Sequence, residues 1–386
     1  MEFNTFFGRR KHMRATIVAL FSGLLFLLFL YWLPSVHPVS SLPHSAPLQT
    51  TPTASGFNAS AGRIGLPPAP TPSKEQTPGI TGKDLDVPVG VRLMVFSPHP
   101  DDETLVAGGL IQRVLANGGT VRVVFVTNGD GYMKGVRTRV KKLQTSANDF
   151  IEYGEKRHDE ALGALRILGL QPEDGIFLGF PDDGIDDLWA KNWSKIKPYT
   201  SPYTQFDRPE YKESFNIWTR YAGTDLKEEI AEAVVSFMPD WIVSPDPRDY
   251  HPDHCTTGVF VLEALRQLKE ENEISLEDTQ ILTYLVHFFD YPSSPQWIKE
   301  VNARGVGGTK TAGQVLASTQ WVNFDLTPEE LATKKQALAE HRTQVEALGN
   351  FLKEFMRPNE LFCRLSPGQA LHIPLEYAAY FKRPSS

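Results

Sequence analysis

The chain has 386 residues, 41% hydrophobic and 22% charged, the composition of a folded protein with room for one large domain or two modest ones. Its 39 Lys and Arg against 46 Asp and Glu leave a net charge of −7, which argues against a nucleic-acid partner, since phosphate neutralisation requires a basic face. Its two cysteines, Cys255 and Cys363, form no C-x-x-C pair; this argues against a disulfide framework or a thiolate zinc site and leaves histidine and carboxylate as metal ligands.

Residues 1–14 are a basic tail with Arg9, Arg10, Lys11 and Arg14. Residues 15–33, ATIVALFSGLLFLLFLYWL, carry no charge. At about 1.5 Å per residue they nearly match the roughly 30 Å hydrocarbon core of a bilayer. No A-x-A-like cleavage site follows, so the stretch is expected to be an uncleaved transmembrane signal-anchor. Lys and Arg then vanish until Arg63, and the positive-inside rule puts the tail in the cytoplasm and the rest beyond the membrane. Residues 34–88 hold eleven prolines among Ser, Thr, Ala and Gly and read as a linker without enough apolar surface to fold. The expected compartment is a bacterial periplasm. Sequons at Asn58 and Asn192 keep a eukaryotic lumen as the alternative.

From residue 89 to 386 the pattern is that of one α/β domain. VRLMVFS (91–97), TVRVVFVTNG (120–129), DGIFLGF (174–180), DWIVSPD (240–246) and ILTYLVHFF (281–289) read as strands. Helices are expected over 103–117, 145–168, 225–238 and from Pro252 onward. Strands alternating with helices predict a mostly parallel sheet flanked by helices, in which ligands sit beyond the carboxyl ends of the strands. Residues 184–223 are an aromatic-rich insertion. Its rings either stack on sugar or pack the insertion onto the domain.

Two strand ends carry chemistry. SPHPDDE places His99, Asp101, Asp102 and Glu103 after the first strand, and SPDPRDYHPDHC places His251 and His254 after the fourth. Taken singly, each stretch also reads as a capped helix start with acids in its first turn. Together, two histidines and one carboxylate make a three-ligand set for Zn²⁺ with a position open to water. A neighbouring carboxylate can then take that water's proton, and a further histidine can meet an oxyanion or a leaving amine.

These segments resemble the PIG-L/LmbE family of zinc-dependent N-deacetylases. The first family motif, (P/A)HPDDE, is similar to Pro98–Glu103, and the second, HxDH, to His251–His254. Weaker flanking matches are TNGDGY (127–132), KRHDEALGALRILGL (156–170), LGFPDDGI (178–185) and KKQALAEHRTQ (334–344). The resemblance implies a Rossmann-like fold and one Zn²⁺ per chain held by His99, Asp102 and His254. It implies Asp101 as general base and His251 as acid or oxyanion partner. It also implies Arg157, in an R-x-x-E pattern with Glu160, as a substrate-binding residue, and Asp130 and Asp182 as supports behind the site. Glu103 is expected to orient the turn, and His287 to be either a core histidine or part of the site. The implied reaction is removal of the acetyl group from an N-acetylated amino sugar, a GlcNAc-type glycan or glycolipid. The alternatives are an amidase on another N-acyl conjugate and a non-catalytic metal- or sugar-binding surface protein.

Overall fold

The computed structural model describes residues 83–142, 144–288 and 321–370. The expected signal-anchor at 15–33 and all but the end of the expected linker lie outside the described residues. Among the described residues no helix is long and apolar enough to cross a membrane.

The fold takes in residues ahead of the expected boundary at 89. Strand β1 (Lys83–Asp84) pairs in parallel with β7 (Trp321–Asp325), and Leu85 behind it is buried in the core. The end of the expected linker is therefore part of the sheet. The other strands are β2 (Arg92–Ser97), β3 (Thr120–Thr127), β4 (Gly175–Phe180), β5 (Trp241–Pro245), β6 (Gln280–Tyr284) and β8 (Asn359–Leu365). Their order across the sheet is β1-β7-β8-β6-β5-β2-β3-β4. Pairings from β6 through β4 are all parallel, and β8 runs antiparallel to both neighbours.

Period-two alternation divides the core into two layers. Leu93 and Val95 of β2 face one cluster, with α1 (Asp102–Ala116), α3 (Ala147–Ile167) and α7 (Pro328–Glu340). Met94 and Phe96 face the other, with α4 (Ile185–Ala190), α5 (Gly223–Phe237) and α6 (Pro252–Glu270). Strands buried on both faces explain why VRLMVFS and TVRVVFVT read as apolar runs.

The chain runs outward from β2 to β3 and β4, then returns to place β5 and β6 on the other side of β2. The β2–β5 boundary is thus the point where strand order reverses, the place where open parallel sheets bind ligands. His99 follows β2 and His251 follows β5.

Two differences from the expected elements have physical causes. The last parallel strand was expected over 281–289 but ends at Tyr284. Beyond it the Asp249 carboxylate accepts the backbone N–H groups of Val286 and His287, at 2.8 and 3.0 Å, so a side chain replaces the ladder. Helix α2 (Met133–Val140) was not expected, because MKGVRTRV buries only Gly135 and Val136 and shows no apolar period.

Candidate metal centre and catalytic cleft

The first turn is built to hold carboxylates. The Thr127 N–H and hydroxyl on β3 both donate to the Pro98 carbonyl, at 3.0 and 2.9 Å, fixing where β2 leaves the sheet. Asp101 then adopts φ 145°, a conformation that costs a non-glycine residue on the order of 1–3 kcal/mol and clusters at functional sites. Asp102 opens α1, and its Oδ2 accepts the His99 N–H at 3.0 Å. Glu103 points back: its Oε2 accepts the Asp101 N–H at 3.0 Å, and its Oε1 accepts the Thr104 hydroxyl at 2.6 Å.

The second turn is held by Asp249, which also accepts the His251 N–H at 3.0 Å. His251 caps α6, with its Nδ1 accepting the Asp253 N–H at 3.3 Å, and Pro252 occupies the first helical position. His254, inside the first turn, is fully buried.

Three donor atoms converge from these turns. His99 Nδ1 lies 3.1 Å from His254 Nε2, His254 Nε2 3.2 Å from Asp102 Oδ2, and Asp102 Oδ2 3.4 Å from His99 Nδ1. A tetrahedral zinc ion with ligands at about 2.0–2.1 Å spaces them about 3.3 Å apart. The triangle therefore fits one face of such an ion. His251 offers a further nitrogen within 4.8 Å of those of His99 and His254.

Carboxylates back the histidines. His99 Nε2 lies 3.0 Å from Asp182 Oδ1 and 3.2 Å from Asp253 Oδ2, so Nε2 carries the proton and Nδ1 is left for a metal. Asp253 also accepts the N–H groups of Asp183 and Ile185, at 2.7 and 3.1 Å, tying this histidine to the loop after β4. Burial disfavours charge on His99, but Asp182 and the hydrogen bonds of Asp102, Asp182 and Asp253 hold its pKa well above the usual value. Asp102 is held well below the usual carboxylate range: burial opposes this, and His254 outweighs it. An acidic nest that favours positive charge suits a cation. Burial pushes Asp101 up to about 6, against the pull of Arg157. His251 falls to about 4, through burial and then repulsion from His99 and His254.

These groups line a cleft of about 450 Å³. His99, Asp101, Asp102, Asp182, His251 and His287 share it with an apolar wall, Leu348, Phe351 and Leu352, from α8 (Arg342–Lys353). His287 stacks on Phe351 with ring centroids 5.3 Å apart and lies 4.9 Å from the His254 ring, placing it in the cleft rather than the core.

Arg157, expected as a substrate-binding residue, is buried. It borders the cleft, but its Nη1 donates to the Gly129 carbonyl at 2.9 Å and its Nη2 to the Pro100 carbonyl at 2.8 Å, with Asp101 Oδ1 at 3.6 Å. Two of its donors tie the two loops together, and its Nε is buried without a partner. Glu160 turns instead to Thr343, accepting its N–H at 3.1 Å and its hydroxyl at 2.7 Å. Asp182 stands against His99, its Oδ1 3.0 Å from Nε2. Asp130 is one step further out: its Oδ2 accepts the Tyr211 hydroxyl, its Oδ1 is buried without a partner, and burial and then Asp182 raise its pKa to about 7.

The aromatic insertion mainly packs. Trp189 and Trp193 rest on Phe260 of α6, with centroids 5.1 and 6.0 Å away, and Tyr211 and Tyr221 are buried. Of its aromatic rings, only Tyr203 lines the cleft, donating its hydroxyl to Asp183 at 2.7 Å. Asp249, Asp253 and His341 were not singled out as site residues. Asp253 lies inside HPDH and was legible there as a carboxylate flanked by histidines.

Residues 94–265 match the PIG-L family, described as GlcNAc-PI de-N-acetylase. This PIG-L domain match spans a little under half of the chain. Both motifs that hold the donor triangle fall inside the matched region. The PIG-L domain is similar to a 1D-myo-inositol 2-acetamido-2-deoxy-alpha-D-glucopyranoside deacetylase of Mycobacterium sp. (strain KMS), 29% identical over 171 residues, 43% of this chain and 47% of that protein. The namesake enzyme of Mycobacteroides abscessus is 32% identical over 174 residues, 42% of this chain and 51% of its own. The chain thus spans about half the length of these curated relatives. Among solved structures, N,N'-diacetylchitobiose deacetylase from Pyrococcus horikoshii is 19% identical with a TM-score of 0.43, covering 78% of this chain and 90% of that one.

Proposed function

We propose that the PIG-L domain is a metal-dependent N-deacetylase that hydrolyses the acetamide of an N-acetylated amino sugar to acetate and a free amine. The observation that carries this reading is the triangle of His99 Nδ1, Asp102 Oδ2 and His254 Nε2 with the spare carboxylate of Asp101 in the same cleft. The relatives that act on acetamido sugars support the substrate class. A bound divalent ion, zinc by the fit of this donor set, acidifies water and polarises an acyl carbonyl.

The chain's own residues do the rest. Asp182 and Asp253 hold the Nε2 proton of His99 and so orient its ring. Asp101, ionised above about pH 6, takes a proton from the attacking water. His251 enters neutral: its Nδ1 accepts from Asp253 N–H, so its Nε2 bears the hydrogen and can donate to the carbonyl oxygen as charge develops there. A cation in the triangle acts on His251 in the same sense as positive charge on His99 and His254, so the neutral form stands. With Nδ1 committed, Asp101 is the group that returns its proton to the departing amine. The apolar stretch 15–33 and the charge asymmetry around it support placing this domain outside the cytoplasm on a membrane tether.

The test is Asp101→Asn in the full-length protein, followed by acetate release from N-acetylglucosamine oligosaccharides and by metal content. The reading predicts unchanged zinc and a fall in kcat of about 10²–10⁴-fold. Wild-type turnover in Asp101→Asn would remove Asp101 as the base.

A further inference from the structure

His341 sits between α7 and α8, 1% exposed. Its Nε2 is 3.0 Å from Glu103 Oε1 and 3.3 Å from the Thr104 hydroxyl. The other Glu103 oxygen accepts the Asp101 backbone N–H at 3.0 Å and lies 3.4 Å from the Ser97 hydroxyl. One buried carboxylate therefore joins the helix junction to the backbone of the residue at φ 145°. Such a backbone is rare for an L-residue and persists only where its surroundings over-determine it. Asp101 has no side-chain capping bond; its carbonyl accepts the Thr104 and Leu105 N–H groups at 3.1 and 3.0 Å, and on its N-terminal side the restraint is its N–H contact with Glu103. The same junction starts α8: the Gln344 and Val345 N–H groups donate to the His341 carbonyl at 3.0 and 2.8 Å. Gln344 and Phe351 of α8 reach the cleft.

We propose that His341 is a positioning residue for Asp101: through Glu103 it fixes the strained turn that aims the carboxylate into the cleft, and it ties that turn to the helix that walls the cleft. The proposal rests on the reading of Asp101 as the base. Without the imidazole, Glu103 Oε1 keeps only the Thr104 hydroxyl, the carboxylate that holds the Asp101 N–H is less tightly fixed, and Asp101 relaxes away from its working position. A misplaced base lowers turnover more than substrate affinity.

The test uses the full-length protein and three variants, His341→Leu, His341→Gln and Glu103→Gln. Two quantities are read: kcat and KM for acetate release, and amide hydrogen–deuterium exchange of peptides spanning 97–105. His341→Leu keeps volume but no donor. It is expected to speed exchange in that turn, to keep zinc, and to lower kcat by about 10–100-fold with little change in KM. His341→Gln, which restores a donor at similar reach, should recover most of both. Combining His341→Leu with Glu103→Gln should cost no more than Glu103→Gln alone. Unchanged exchange in His341→Leu overturns the proposal, as does a loosened turn with wild-type kcat, or a His341→Gln no better than His341→Leu. If His341→Leu does not fold, His341→Asn, whose amide is too short to reach Glu103, takes its place. If the wild-type chain releases no acetate from any substrate, the functional reading fails, while the exchange measurement still decides the role of His341.

Discussion

At the scale of single residues, adjacent side chains in one turn are given opposite ionisation behaviour. Asp102 is drawn far down by the histidines it faces, whereas burial lifts Asp101 to about 6 despite Arg157. A ligand that stays ionised next to a base that can take and return a proton is the division amide hydrolysis requires. His251, pushed down to about 4, is neutral through the working range. Of the two roles expected for it, acid or oxyanion partner, a neutral imidazole fits the second. His251→Ala should keep zinc and lower kcat by about 10²–10³-fold. Its pH–rate profile should keep a rising limb near or below pH 6, because that limb reports ionisation of Asp101, which is active when deprotonated. Loss of that limb in His251→Ala would reassign the base. Much of this was legible in the sequence: His99, Asp101, Asp102 and His254 stand in two short motifs at strand ends. The protonation states were not, because they depend on which carboxylates the fold brings against each ring.

At the scale of elements, strand and helix order read well from the sequence because the strands are continuous apolar runs bounded by turn residues. The C-terminal third read poorly. KKQALAEHRTQ matched the family only weakly, yet it supplies three buried contacts, Lys334 to Glu360, His341 to Glu103 and Gln344 to the Tyr153 hydroxyl, and a half-buried one, Thr343 to Glu160. Each is a long-range pair between residues of ordinary type, and no periodicity marks it. The Lys334–Glu360 pair is the most consequential for stability. Lys334 Nζ lies 2.7 Å from Glu360 Oε1, both side chains are buried, and Glu360 also accepts the Gly109 and Leu110 N–H groups of α1, at 2.8 and 3.0 Å. It joins α7, β8 and α1 behind the catalytic turn. Lys334→Met leaves a buried carboxylate without its cation and should cost about 3–5 kcal/mol in denaturant unfolding. Adding Glu360→Gln should restore part of that loss, because a neutral amide carries no bare charge. Equal stability of Lys334→Met and wild type would show that the backbone donors alone satisfy Glu360.

At the scale of the whole molecule, a sheet whose strand order reverses between β2 and β5 brings together motifs about 150 residues apart, and the aromatic insertion closes one flank without entering the site except at Tyr203. The insertion's ring-rich composition left sugar stacking and packing as alternatives; packing on Phe260 accounts for Trp189 and Trp193. The proposed tether makes its own prediction. A reporter enzyme active only outside the cytoplasm, fused after Arg63, should work and remain in the membrane fraction; a soluble active reporter would point to a cleaved signal peptide. The central claim is that the chain is a metal-dependent deacetylase, and acetate release by the full-length protein from N-acetylglucosamine glycans and glycolipids tests it most directly, measured as purified, after a chelator has removed its metal, and after zinc is added back. The account predicts release that is abolished by the chelator and restored by about one zinc per chain. Undiminished release from protein shown to be metal-free would contradict it.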